Sequence, residues 1–281
     1  MKNNRIFKNH YIIGLLLLGS LLLAACGNNN EQSDEVKAEA NNNDPDAKEI
    51  VIGTGNAYQP FVYLDENGKL TGYEKAVLDE VDQLFPQYKF KYESFEFKNI
   101  LPALDAGKVD LAAHQYEIND ERQKKYLFGK VGYTDYTSYV VVNKASGHDF
   151  QSLDDLAGHK VHTSTGSNFA YLLEQYNAKH DRKIDIVYGD GGNEILVKNL
   201  QNGTVDAALL TKYDVNKLNK QFNANLVTSG KPVNVSKTYY LYQKNNTKLQ
   251  KDIDQALQKL IDNGKLAELS KKILGGDFTT S

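Results

Sequence analysis

LDAGKVDLA at 104–112 and LQNGTVDAA at 200–208 share one frame: leucine, two residues, glycine, one residue, valine-aspartate, one residue, alanine. Gly107 and Gly203 are 96 positions apart, and so are Asp110 and Asp206. Each copy reads as the end of a helix, a glycine stop that tolerates left-handed backbone, and then an apolar strand. Chance likeness of so common a unit is the competing reading. Repetition at this spacing predicts two lobes built alike, each of about one hundred residues.

The sequence around both copies alternates in the same way. EIVIGTG (49–55) reads as an apolar strand, and YEKAVLDEVDQLF (73–85) as a helix with Val77, Val81, Leu84 and Phe85 on one face, stopped by Pro86. YKFKYESF (88–95) alternates like a strand, and NILPALDAG (99–107) is a short helix. HKVHTS, SNFAYLLEQYN, DIVYG, NEILVKNLQNG and TVDAALL repeat the alternation. The fold class that follows is α/β, with two similar lobes of mainly parallel sheet flanked by helices. Two longer strand-like runs, about 136–145 and 235–244, bracket the second block, and are expected to cross between lobes as hinge strands. Lobe 1 is then 49–140 with 240–281, and lobe 2 is 141–239. The tail carries two amphipathic helices, the first with Leu249, Ile253, Leu257 and Leu260 on one face.

The N-terminus gives an address. Lys2, Arg5 and Lys8 precede the apolar run YIIGLLLLGSLLLAA, which at about 15 residues is shorter than the roughly 20 needed to span a bilayer as a helix. That is the pattern of a signal peptide over 1–25. LAAC puts small residues before Cys26, the one cysteine of the chain, and resembles a bacterial lipobox. The resemblance implies cleavage before Cys26 and lipidation of its thiol, hence anchoring at the extracytoplasmic face of the cell membrane. Residues 26–48 have almost no large apolar side chain and read as a tether. Without the three leader cations the formal charge goes from −3 to −6, which argues against nucleic acid as a partner.

Only three arginines occur among the 33 basic residues: Arg5, Arg122 and Arg182. Arg122 closes HQYEINDER (114–122), just beyond the end of the strand in the first copy of the frame. In α/β sheets, ligands bind outside the carboxyl ends of strands, and arginine's planar fork grips a carboxylate bidentately. On residue type alone, Arg122 is equally a carboxylate clamp or a surface arginine paired with Asp120 or Glu121.

GNAYQPFVYLDENGKLTGYE, ILPALDAGKVDLAA, NDER with YLFG, and DLAGHKVHTSTGS together resemble the type 2 periplasmic binding-protein superfamily. The resemblance is to the extracellular solute-binding lipoproteins of polar amino-acid ABC importers, and it covers about 50–278. It implies that Arg122 meets the ligand's α-carboxylate. The turn with Thr165, Gly166 and Ser167 would meet the same group from the other lobe, and closure would follow from the ligand. Tyr58 and Phe97 match positions that sandwich the ligand side chain. The family's acidic residue for the ligand's amino group falls on Gly55 or Thr211, and neither is acidic here. Glu117 is the residue to take over that role, with Gln115 reaching the pocket through its amide and His162 forming a polar wall. A structural or surface role is open for each of these three. His114 reads as a core or hinge histidine. The HQYE variant is similar to members associated with cystine.

The partners implied are an amino-acid ligand and an ABC permease, with the receptor a monomer. No cofactor is expected. The six histidines show no spacing that suggests a metal site, and no phosphate loop or nucleophile motif occurs. A dehydratase-type enzyme on the same fold, or a surface adhesin, are the rival classes; dehydration would need a placed general acid, for which Glu117 is the candidate.

Overall fold

Asp110 and Asp206, equivalent in the repeated frame, do the same work in two different sheets. Asp110 Oδ2 accepts the Val51 N–H at 2.9 Å, and Asp206 Oδ2 accepts the Lys160 N–H at 2.8 Å. Each carboxylate ties the start of one parallel strand to its neighbour. A computed structural model describes residues 46–189 and 192–279. The expected signal peptide, Cys26 and most of the tether lie outside the described residues. Among the described residues, no helix is long and apolar enough to cross a membrane.

The first part of the chain runs β1 (Lys48–Thr54), β2 (Ala57–Tyr58), β3 (Val62–Leu64), β4 (Leu70–Thr71), α1 (Tyr73–Leu84), β5 (Tyr88–Ser94), α2 (Phe97–Asp105), β6 (Leu111–Glu117), α3 (Asp120–Lys125), β7 (Tyr126–Phe128) and β8 (Thr134–Asp135). The second part is β9 (Ser138–Asn143), β10 (Lys160–Thr163), α4 (Asn168–Lys179), β11 (Asp185–Tyr188), α5 (Gly192–Gln201), β12 (Ala207–Thr211), α6 (Lys212–Phe222) and β13 (Leu226–Asn234). The chain then returns through β14 (Lys237–Gln243), α7 (Thr247–Asp262) and α8 (Lys265–Leu274).

One sheet has the order β5-β1-β6-β14-β7, with β8 on β14, and the other has β11-β10-β12-β9-β13. In each, three strands linked by helices pair in parallel, and the strand that flanks the crossing, β14 in the first sheet and β9 in the second, adds on antiparallel. Parallel neighbours need a helical crossover, whereas returning strands do not, so both patterns follow from connectivity. Strands β2, β3 and β4 form a separate small antiparallel sheet.

Helices cover both faces of the two large sheets. Ile50, Ile52, Tyr240 and Tyr242 pack with Val77 and Val81 of α1, Leu249, Ile253, Leu257 and Leu260 of α7, and Leu266 of α8. Ile100 and Leu104 of α2 close the opposite face with Val109 and Tyr116. In the second sheet Leu173 and Tyr176 of α4 cover one face, and Leu196, Val197, Val215 and Leu218 of α5 and α6 the other. On α1, Leu78 is buried in place of Leu84, which sits at the helix end, 37% exposed.

The bracketing strands do not themselves cross. Strand β9 pairs only within the second sheet and β14 only within the first, so the crossings are the links 136–137 and 235–236. The Tyr136 N–H donates to the Ser236 carbonyl at 2.8 Å, joining the two links side by side.

Candidate functional site

Between the sheets lies a cavity of about 460 Å³, within the range of small-molecule sites. Tyr58, Phe97, His114, Glu117 and Arg122 line it from one side, and His162, Ser167, Asn168, Phe169 and Asp214 from the other. Tyr136, on a crossing link, completes the wall.

Strand β6 is buried along its whole length and delivers the chain to the cavity at Glu117. Asn119 then caps α3, its Oδ1 accepting the Arg122 N–H at 2.8 Å, which fixes where the arginine starts. Arg122 is only 6% exposed. Its Nη1 donates to the Glu117 carbonyl and its Nη2 to the Gly166 carbonyl of the facing turn, both at 2.9 Å. The guanidinium lies 5.0 Å from the Tyr116 ring centre, within cation–π range. Burial pushes its pKa down, opposed by Tyr116 and Glu117. Two fork nitrogens are thus oriented by carbonyls, and their remaining N–H groups stay available to an anion.

The facing turn is Ser164–Ser167, closed by the Ser167 N–H on the Ser164 carbonyl at 3.1 Å, with Gly166 at φ +73°. A left-handed residue is needed there, hence glycine. Gly166 meets Arg122 through its carbonyl. Thr165 is exposed on this turn and does not line the cavity. Ser167 caps α4, its Oγ accepting the Ala170 N–H at 3.0 Å and sitting 3.0 Å from Thr163 Oγ1. Asn119 Nδ2 donates to Asn168 Oδ1 at 3.0 Å, a second bond across the cleft.

The aromatic groups form one connected wall. Phe97 lies 5.0 Å from His114 and 5.7 Å from Tyr116, and Tyr58 lies 5.4 Å from His114. Tyr58 and Tyr136 share a hydroxyl contact of 2.9 Å, and Tyr136 stacks on Phe169 at 6.0 Å. Burial lowers the His114 pKa to about 4, so the ring is neutral near pH 7. His114 is therefore part of the cavity wall as well as buried.

Among the described residues two buried carboxylates face the cavity, with the exposed Glu96 at its rim. Glu117 is 2% exposed, its Oε1 accepts from Asn234 Nδ2 at 2.8 Å, and burial raises its pKa to about 7 against the pull of Arg122. Asp214 was not expected from the sequence. It belongs to the capping box of α6, its Oδ2 taking Thr211 Oγ1 at 2.7 Å, and burial raises its pKa. Thr211 spends its hydroxyl on that cap and does not line the cavity. The T-x-x-D spacing of 211–214 was the legible signal for Asp214.

Gln115 is a correction. It lines the cavity, but Nε2 donates to Glu74 Oε1 at 2.9 Å and Oε1 lies 3.4 Å from Thr238 Oγ1, so both ends of its amide are engaged within the protein. Its backbone is left-handed, φ +52°, which turns it inward where β6 and β14 shift register.

The missing acidic residue at Gly55 has a steric reason. A Cβ there would stand 2.4 Å from the His114 ring, and one at Gly189 would stand 2.6 Å from His162. Each glycine makes room for a cavity histidine. Gly55→Ala is expected to cost about 1–3 kcal/mol through overpacking. Most of that should return when His114→Ala is added. Denaturant unfolding of the three variants checks this, and an equal loss in the single and double variants would contradict it.

Away from the cavity, His148, His159 and Asp206 converge with donor atoms within 4.8 Å of one another. Sequence spacing hid this grouping, because the three residues lie on separate loops.

Two lobes of α/β sheet, a cavity between them and a buried guanidinium at the carboxyl end of a strand define a two-lobed solute-binding protein. The chain belongs to the bacterial extracellular solute-binding proteins, family 3, whose model matches residues 50–276. It is 38% identical over 231 residues to the L-cystine-binding protein TcyK of Bacillus subtilis, covering 82% of this chain and 85% of that one. Among solved structures, the putative L-cystine ABC transporter from Listeria monocytogenes is 39% identical, with a TM-score of 0.77 over 83% of this chain and 99% of that chain. A Streptococcus mutans structure, described in the context of glutathione import through GshT and the cystine importer TcyBC, is 27% identical, with a TM-score of 0.75 over 84% and 98%.

Proposed function

We propose that this protein is a receptor for L-cystine or a closely similar polar amino acid, anchored at the extracytoplasmic face by lipid on Cys26, that delivers its ligand to an ABC permease. It acts as a monomer, without cofactor and without catalysis. In this reading 1–25 is removed and 26–48 is the tether. The sheet pairings move the expected lobe bounds from 140 and 240 to the crossing links, so that the first lobe is 49–135 with the chain from 237 onward and the second is 138–234. Arg122 binds the ligand's carboxylate, and the turn at Gly166 and Ser167 closes on it. Tyr58, Phe97, Tyr136 and Phe169 hold the side chain, and Glu117 accepts the ammonium with Asp214 as a second anionic wall.

The observation that carries this is one buried guanidinium and two buried carboxylates in a single aromatic cavity: Arg122, Glu117 and Asp214. A ligand with two ammonium groups and at least one carboxylate, as cystine carries, supplies an opposite charge to each, and buried charges need such partners. The names of the relatives above support cystine. A thermal-shift panel of amino acids tests it. A ligand at one hundred times its Kd stabilises by about 2.7 kcal/mol, so cystine should raise Tm by several degrees and most other amino acids by little. No shift with cystine would count against the substrate, and no shift with any amino acid against the class.

Glu117 gives the binding a pH dependence. Free, it holds its proton below about pH 7. A bound ammonium favours the carboxylate, so binding below that pH expels a proton. Affinity should rise about tenfold per unit as pH approaches 7 from below, then level off. Titration calorimetry at acidic and neutral pH reads this slope, and Glu117→Gln should flatten it; an unchanged slope in that variant removes Glu117 from the role.

A further inference from the structure

We infer that His148, His159 and Asp206 form a binding site for a single Zn²⁺-class divalent cation in the second lobe, remote from the amino-acid cavity. His148 Nε2 lies 3.4 Å from Asp206 Oδ1, and His159 Nδ1 lies 3.3 Å from Asp206 Oδ2. Zinc binds imidazole nitrogen and carboxylate oxygen at about 2.0–2.2 Å, and a tetrahedron of that size has edges of roughly 3.3–3.6 Å. Each nitrogen–oxygen separation has the length of such an edge, but the two run to different oxygens of the carboxylate. A small rotation of one ring or of the carboxylate brings both imidazoles onto the oxygen that binds the metal. The widest gap between donor atoms stays within 4.8 Å and closes by side-chain rotation.

The donors are held, not adventitious neighbours. Asp206 is anchored by the Lys160 N–H at 2.8 Å, at the entry to β12. Phe150 stacks on the His148 ring at 5.0 Å and meets the His159 ring edgewise at 4.8 Å, fixing both imidazoles. All three residues are about one-third exposed, so a cation can enter and water can complete its coordination. The first lobe provides an internal control. Asp110 there makes the matching bond to Val51, but the residue corresponding to His159 is Ile50. The shared aspartate is structural in both sheets, and the histidines are an addition peculiar to the second.

Two imidazoles with one carboxylate favour Zn²⁺, Ni²⁺ or Cu²⁺ over the all-oxygen preference of Ca²⁺ and Mg²⁺. Strand β10 separates the site from the cavity. His159 precedes it and the ligand-facing turn follows it, about 13 Å away at roughly 3.3 Å per residue. The site is therefore independent of the amino-acid reading.

Calorimetric titration of the tag-free full chain with ZnCl₂, without amino acid, tests it. One saturable site is expected, weakened by more than about tenfold in the His148→Ala/His159→Ala double variant, since even residues behind a metal ligand are worth 10–100-fold. Asp206→Asn, which keeps an acceptor for Lys160, should weaken it similarly and covers the case of a poorly folded double variant. His180→Ala, a surface control, should bind as the parent does. Absence of saturable Zn²⁺ binding, or binding weakened by less than tenfold in the double variant, overturns the site.

Discussion

Arg122→Ala is expected to abolish the cystine-induced rise in Tm and to weaken binding by at least about a hundredfold. Each hydrogen bond to a charged group is worth about 1.5–3 kcal/mol, and a bidentate carboxylate loses two. The variant also removes the donor to the Gly166 carbonyl, one of the bonds between the two sides of the cleft. Arg122→Lys separates these effects. It keeps the charge but not the fork, so most of the affinity should still be lost. Calorimetry on the three proteins reads the outcome. Wild-type affinity in Arg122→Ala would remove the arginine from the ligand's path.

Glu74→Ala should lower stability by about 3–5 kcal/mol, the largest loss expected from a single side chain here. Glu74 is 1% exposed, and its Oε1 accepts the Gln115 N–H at 2.8 Å, Gln115 Nε2 at 2.9 Å and the Tyr133 hydroxyl at 2.7 Å. Truncation strands three buried donors together. It also releases Gln115, whose left-handed backbone is held by one of them. Burial raises the Glu74 pKa, offset by these same hydrogen bonds. Glu74→Gln keeps an acceptor oxygen and should lose much less. At 2–4 °C per kcal/mol for a body of this size, Tm should fall by about 10 °C in the alanine variant. Calorimetric melting checks this, and a fall of only one or two degrees would mean that the network does not hold α1, β6 and the Tyr133 segment together.

What the sequence made legible follows from physical range. The repeated frame at 104–112 and 200–208 is local, and its two aspartates do carry matching bonds in two sheets. The stripe of α7 is local too, with Leu249, Ile253, Leu257 and Leu260 all buried. The position of Arg122 after β6 could be read because strand ends and helix caps are written in neighbouring residues. The hinge could not. Runs 136–145 and 235–244 were single strand-like segments in sequence, yet pairing gives β9 and β14 to opposite sheets and leaves the crossing to two short links. The inward turn of Gln115 depends on Glu74, 41 positions earlier in the chain. The exchange of an acidic residue for space at Gly55 depends on the ring of His114. Asp214 was half visible, as a helix cap whose exposure to the cavity only the fold decides.

A crystal structure of the protein grown with L-cystine tests the central claim most directly. One α-carboxylate of the ligand should lie bidentate on Arg122, with its ammonium on Glu117 and its disulfide among Tyr58, Phe97 and Tyr136. A ligand whose carboxylates both lie away from Arg122 would contradict the account.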